Sequence, residues 1–181
     1  MLSIIKLNPR KADRGVLLDT SIFFSAAIRE KPAAQKIMSV IEDEFISKSP
    51  RFNFYVTDGV LGELRYLPEN VQRILTYVNQ INVTSIDDII NKITNGASLT
   101  DKGLIQAFAT DPNISILVSD DSHIWNGEVM AMIKENYGKP AHIYNSNSFV
   151  KTILQPQKVT HLGFEAIEQY LQAHGKLADG G

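Results

Sequence analysis

The stretch VLLD (residues 16–19) places an acidic residue directly after three apolar ones. Short apolar runs of this kind are typical of buried strands, and three more follow at FNFYVT (52–57), ISILV (114–118) and AHIY (141–144). Amphipathic segments, whose apolar positions recur every three or four residues, separate these runs. This alternation predicts an α/β fold: a three-layer α/β/α sandwich around a central, mainly parallel sheet of four to five strands.

Side chains that can cap helices precede several of the amphipathic segments. Thr20 or Ser21 can cap the helix that follows the first strand, and Asp58 can cap the helix that follows the second. Ser98 or Thr100 can cap the segment DKGLIQAFAT in the same way. These signals predict that each helix begins close to the carboxyl end of a strand or after a short loop.

The chain has 181 residues, which is enough for one domain with a sizeable core. Residues 1–155 are expected to form this domain, including a helix at VQRILTYVNQI (71–81). Pro156 then closes the compact unit. Residues 156–181 are expected to form an extension in which an amphipathic helix precedes a disordered tail.

The composition excludes several kinds of protein and of metal site. The chain has no cysteine, so disulfides and thiolate metal sites are excluded. No segment is apolar for long enough to span a bilayer, and the first residues do not resemble a secretion signal, so a cytoplasmic protein is expected. The net charge of -2 argues against a strongly basic nucleic-acid coat, but not against an enzyme that meets phosphate through a bound metal.

Acidic residues stand where strands end or helices begin: Asp19, Glu63, Asp101 and Asp121. Carboxylates beyond the carboxyl ends of parallel strands gather in the crevice where open α/β sheets bind ligands. Several carboxylates can share such a crevice only if protons or cations neutralise them. A hard divalent cation, which prefers oxygen ligands, is the simplest solution.

Each acid also has a structural explanation when it is considered alone. Asp19 can cap the helix that follows it, and Asp101 can interact with the dipole of its own helix. Glu63 lies within a helix, where solvated glutamates are ordinary, although its apolar neighbours predict a largely buried environment. Asp120 and Asp121 are adjacent and point in different directions, so at most one is expected to be a direct ligand while the other caps a helix or supports the ligand.

The motifs VLLDTSIFFS, GVLGEL, TDKGLIQAFA and ILVSDDSHI, in this order, resemble those of the PIN-domain nucleases over residues 16–150. The resemblance implies a parallel sheet between layers of helices, Mg²⁺ or Mn²⁺ bound by clustered acids, and cleavage of single-stranded or structured RNA. It implies that the following acids are both catalytic and metal-binding: Asp19, Glu63, Asp101 and Asp121.

The resemblance also assigns supporting roles to small hydroxyl residues. Thr20 or Ser21, together with Ser119, match hydroxyl positions that often accompany the acids. Members of the family commonly carry threonine or serine, one variable residue and then the acid. That spacing from Ser119 selects Asp121 as the ligand, while Asp120 stays an alternative.

The activity implied is that of a Mg²⁺- or Mn²⁺-dependent endoribonuclease, a hydrolase that is either the toxin of a toxin-antitoxin pair or an RNA-processing enzyme. RNA is then the expected substrate. An antitoxin or another protein inhibitor, and a second copy of the chain in a homodimer, are candidate partners. A PIN-like module that binds RNA or protein without cutting is the alternative, although it would have no need for the full set of acids.

Overall fold

The computed structural model describes residues 14–122 and 125–155. Its sheet is entirely parallel and has five strands, in the order β3-β2-β1-β4-β5. The strands are β1 (Gly15–Leu18), β2 (Asn53–Thr57), β3 (Asn79–Ile81), β4 (Ile114–Val118) and β5 (Ile143–Tyr144). With helices packed on the sheet, the chain forms the three-layer α/β/α sandwich that the sequence predicts.

Most helices begin shortly after a strand or after another helix. They are α1 (Thr20–Ala27), α2 (Pro32–Ile46), α3 (Asp58–Leu64), α4 (Glu69–Leu75), α5 (Asp88–Ile93), α6 (Leu99–Thr110), α7 (Gly127–Tyr137) and α8 (Ser146–Phe149), followed by a π-helical segment (Val150–Leu154). The chain divides into two compact units, residues 1–147 and 148–181. The helix and tail predicted for 156–181 lie outside the described residues. None of the described helices has the length and apolarity needed to cross a membrane.

The central strand β1 forms the core of the sheet. Val16, Leu17 and Leu18 are completely buried, and the strand pairs with β2 on one side and β4 on the other. A strand buried on both faces reads as a continuous apolar run, which is why VLL predicts it well. Burial of this strand fixes the position of the residue that follows it.

The helix predicted at 71–81 is wrong in its second half. Helix α4 ends at Leu75, and Asn79–Ile81 pairs with β2 as the edge strand β3. The Asn79 side chain donates a hydrogen bond of 3.1 Å to the Phe54 carbonyl and so helps to hold this pairing. Pairing with a distant strand overrides the local helical periodicity, which a single segment of sequence cannot reveal.

The predicted cap is wrong for helix α3 and confirmed for helix α6. Thr57, rather than Asp58, caps α3, because its Oγ1 accepts a hydrogen bond of 3.2 Å from the Val60 amide. Asp58 instead accepts a hydrogen bond from the Val83 amide and ties a loop to the start of the helix. For α6, Ser98 is the cap, one of the two residues predicted.

Gly15 marks a close approach between β1 and the chain that enters β4. The register between these strands shifts between Gly15 and Val16. A Cβ atom on Gly15 would lie 2.8 Å from the Asn113 carbonyl carbon and closer still to its oxygen. Only glycine therefore fits at this point of the central strand.

We expect Gly15→Ala to lower the free energy of unfolding by at least about 2 kcal/mol, because backbone atoms must move to admit the methyl group. Urea unfolding measures the change. Gly62→Ala is the matched control, since no atom lies within 4 Å of the added carbon; in helix α3 it should be neutral or stabilise by up to about 1 kcal/mol. Equal stability of the two variants would contradict the close approach.

Candidate metal centre

The crevice at the carboxyl end of the sheet lies where the strand order reverses. From β1 the chain continues to β2 and β3 on one side of the sheet, and later to β4 and β5 on the other. Open α/β sheets bind their ligands at this switch point, beyond the ends of the strands that flank it. Asp19 follows β1 directly, while Ser119, Asp120 and Asp121 follow β4, so the fold brings these residues to the same crevice.

The side chain of Asp19 does not cap α1, although the residue occupies the N-cap position. Its Oδ2 atom instead accepts hydrogen bonds from Ser21 Oγ at 2.9 Å and from Ser119 Oγ at 2.6 Å. The capping explanation for this carboxylate is therefore wrong, and neither Thr20 nor Ser21 occupies the N-cap position predicted for it. Asp19 is only 4% exposed.

Burial raises the pKa of Asp19 above its ordinary value. The hydrogen bonds from Ser119 and Ser21 oppose this effect, whereas the negative charge of Asp101 adds to it. Asp101 is therefore close enough to repel Asp19. A cation between these carboxylates would remove the repulsion and stabilise the charged form of both.

Two serine hydroxyls connect the ends of the central strands. Ser21 Oγ donates to Asp19 and accepts a hydrogen bond of 2.9 Å from the Asp120 amide. Ser119 Oγ donates to Asp19 and accepts from the Asp121 amide at 3.1 Å. These bonds orient the Asp19 carboxylate and hold the loop after β4 in place.

Glu63 reaches this region from helix α3. Its Oε2 atom accepts a hydrogen bond of 2.5 Å from Thr20 Oγ1 at the start of α1. Its neighbours Val60 and Leu64 are completely buried, but Glu63 itself is exposed. The largely buried environment predicted for Glu63 is therefore wrong, although its apolar neighbours in α3 are buried.

Asp101 and Asp121 line one cavity of about 310 Å³. Asp101 lies in the first turn of α6, where its amide donates a hydrogen bond of 3.1 Å to the Ser98 cap. Asp101 also raises the pKa of Asp19 by its charge. The structure thus relates Asp101 to Asp121 through a shared cavity and to Asp19 through electrostatic repulsion.

Asp120 has a structural role. Its Oδ1 accepts a hydrogen bond of 2.8 Å from the Ser146 amide, and its Oδ2 accepts one of 2.9 Å from the Ser146 hydroxyl. Lys31 lies 3.8 Å from the same carboxylate, whose side chain is 4% exposed. These contacts hold Asp120 at the start of α8, whereas Asp121 lines the cavity with Asp101.

The acids fit a hard divalent cation in their chemistry. They offer only oxygen ligands, and the two that repel each other would be stabilised by positive charge. Within residues 14–122 and 125–155, no three acidic or histidine side chains are arranged so that together they could hold one metal ion.

The partners of Asp120 are the part of this region that sequence reasoning missed. The segment YNSNS after the last strand indicates a helix start, which Ser146 provides. The segment does not indicate that Ser146, at this helix start, donates a hydrogen bond to the carboxylate of Asp120, 26 residues earlier. Only the pairing of β4 with β5 brings these residues together.

We expect Asp19→Asn to raise the melting temperature at pH 7 in EDTA. Because the folded-state pKa of Asp19 is raised, stability falls as the pH rises from 3.8 through that pKa. Asparagine still accepts hydrogen bonds from the serines but carries no charge. Each kcal/mol gained raises the melting temperature of a chain of this size by about 2–4 °C.

Differential scanning calorimetry between pH 4 and pH 8 measures this effect, and the gain should shrink toward the acidic end. The control is Asp43→Asn on the exposed face of α2, which should stay within about 0.5 kcal/mol of the wild type. A melting temperature of Asp19→Asn below that of the wild type at pH 7 would show that the charged carboxylate stabilises the metal-free fold.

Substitutions of the two adjacent aspartates should have different effects. Asp120→Ala removes both acceptors of the buried Ser146 and should cost about 1–3 kcal/mol in urea unfolding, with little change in Mn²⁺ affinity. Asp121→Ala should weaken Mn²⁺ binding, measured by titration calorimetry, by at least about tenfold. If Asp120→Ala weakened Mn²⁺ binding more, the assignment of the two residues would be reversed.

Comparison with known proteins finds a similar solved structure but no matching family and no curated relative. No protein-family model matches the chain, and no curated protein matches it. The crystal structure of PAE2754 from Pyrobaculum aerophilum is similar over 81% of this chain and 92% of that one, with 12% sequence identity and a TM-score of 0.46. A likeness of this size carries no information about function.

Proposed function

We propose that this protein is a metal-dependent endoribonuclease of the PIN-like type, which hydrolyses RNA phosphodiester bonds with Mg²⁺ or Mn²⁺. The observation that supports this most strongly is the carboxylate of Asp19, which is buried at the switch point of the sheet and whose pKa the charge of Asp101 raises further. A position of this kind is where open α/β sheets bind ligands.

The negative charges of Asp19 and Asp101 support the proposal that a cation binds in the crevice. Ion pairs between described side chains join Lys31 to Asp120, Arg51 to Glu44 and Arg73 to Glu42, and none of them includes Asp19 or Asp101. Buried carboxylates are normally paired with positive charge, because loss of hydration is otherwise uncompensated. A divalent cation would supply that charge.

In this proposal the acids bind the cation and the serines orient one of the acids. At most two of the acids Asp19, Asp101 and Asp121 would contact the cation directly, since the described residues offer no three that could do so together. Ser21 and Ser119 orient Asp19 by hydrogen bonds. When bound, the cation supplies an activated water and neutralises charge on the phosphate.

Glu63 is the acid best placed to exchange protons. It is exposed, and the hydroxyl of Thr20 holds one of its oxygens. A carboxylate that is oriented but accessible can accept a proton from the attacking water. Thr20 would then be a positioning residue.

The surface beside Glu63 supports RNA as the substrate. Tyr66 is 84% exposed, and the Arg65 guanidinium lies 5.1 Å from the centre of its ring. Proteins that bind single-stranded nucleic acids combine exposed aromatic rings, on which bases stack, with basic side chains that contact phosphate. The cytoplasmic location, the antitoxin or other inhibitor, and the homodimer are further parts of this proposal.

One observation favours a second function, a PIN-like module that binds RNA or protein without cutting it. This is the lack, within the described residues, of three side chains arranged around one metal position. Such a module would bind RNA equally well in Mn²⁺ and in EDTA. The nuclease needs the cation both to neutralise its acids and to cut.

The test is cleavage of mixed single-stranded and structured RNAs by the purified protein in Mn²⁺ or Mg²⁺. We expect cleavage that EDTA abolishes and that Asp19→Asn and Asp121→Asn each reduce at least about 10²-fold, the scale for loss of a key electrostatic group. Asp43→Asn on the surface of α2 should cut at the wild-type rate. Circular dichroism checks that each variant is folded.

Wild-type rates in both site variants would show that the activity does not come from this crevice. RNA binding without cleavage, unchanged by EDTA, would favour the binding module.

A further inference from the structure

The cavity lined by Asp101 and Asp121 is larger than a metal ion needs. Its volume is about 310 Å³, at the lower end of the range of about 300–1,000 Å³ that small-molecule sites occupy. It lies between the loop that precedes α6 and the start of α7. Because it shares two acids with the candidate metal centre, a group bound in it would lie next to the metal.

The surface of this cavity is mostly polar, with a smaller apolar part to which Ile93 and Ala97 belong. Apolar atoms gain free energy by covering a ring or a hydrocarbon surface, and a phosphate or a sugar hydroxyl would gain little from them. This smaller part therefore suits one face of a flat aromatic group.

Two carboxamides stand at the same cavity. Asn126 caps α7, and its Oδ1 accepts a hydrogen bond of 2.9 Å from the Val129 amide. Its amide nitrogen is thereby left to donate elsewhere. The side chain of Asn95 makes no hydrogen bond to any residue of the described ranges and also lines the cavity.

Carboxamides carry a donor and an acceptor side by side, which is the pattern that reads the edges of nucleobases. Asp101 and Asp121 would face the proposed cation, so the two amides and the apolar part of the surface are left to contact the ligand. A neutral planar base suits both.

We propose that this cavity binds one nucleobase of the RNA strand, next to the phosphate that is cut. The inference rests on the proposed function and extends it: Asn95 and Asn126 are specificity-determining residues, and the base in the cavity decides where the strand is cleaved. The phosphate attached to that base then lies toward Asp19, where the cation is held.

The test compares 5′-mononucleotides with ribose 5-phosphate, which has the same phosphate and sugar but no base. Titration calorimetry of the full-length protein in Mn²⁺ measures both. We expect at least one of AMP, GMP, CMP and UMP to bind about tenfold or more tightly than ribose 5-phosphate, a difference of about 1.4 kcal/mol.

Two variants test whether the side-chain amides of Asn95 and Asn126 cause the tighter binding of the nucleotide. Asn126→Ser keeps a side-chain acceptor for the cap of α7 but removes the amide donor, and Asn95→Ala removes the other amide. Each should reduce the ratio of the affinity for the nucleotide to that for ribose 5-phosphate by about fivefold or more. This is the lower end of what a good contact to a base edge provides. Affinity for ribose 5-phosphate should not change. Asn70→Ala, on the exposed surface of α4, is the matched control.

The inference is overturned if no nucleotide binds more tightly than ribose 5-phosphate, including the case in which neither ligand binds. It is also overturned if the advantage survives in both variants. Because binding is measured without turnover, the outcome is separate from that of the cleavage assay. Base-dependent binding without RNA cleavage would refute the nuclease alone, and cleavage without base-dependent binding would refute the cavity alone.

Discussion

A carboxylate buried at the end of the central strand is the constraint on which the rest of the site depends. Asp19 is 4% exposed and follows a strand whose apolar side chains are completely buried. A charge in such a place loses hydration that hydrogen bonds replace only in part. The hydroxyls of Ser21 and Ser119 provide those bonds, and Asp101 adds repulsion rather than compensation. The metal-free fold therefore retains an electrostatic cost that a bound cation would remove.

The neighbouring aspartates have different surroundings in the fold. Asp120 is tied to Ser146 by two hydrogen bonds and lies near Lys31, so its charge is compensated within the protein. Asp121 instead lines a cavity together with Asp101. In the proposed function, the cation would lie near these two acids rather than near Asp120.

Much of this fold can be predicted from local patterns, because the buried strands are continuous apolar runs. The strand predicted at 114–118 has the bounds of β4, and VLL lies within β1. Strand β3 was missed because its pairing with β2 is non-local, and its sequence continues a helical pattern. In the site, the sequence places Asp19 at a strand end but cannot show that Ser21 and Ser119 take the place of a capping bond. Side-chain contacts across about 100 residues depend on the sheet order, which one sequence does not specify.

The central claim is that the acids at the switch point bind a divalent cation. Crystals of the protein soaked in Mn²⁺ and measured for anomalous scattering would test it most directly, since they locate the ion without reference to activity. The account predicts an anomalous peak in the crevice bounded by Asp19, Asp101 and Asp121, which disappears in crystals of Asp19→Asn. Mn²⁺ bound only elsewhere on the protein, or no peak at a saturating concentration, would contradict it.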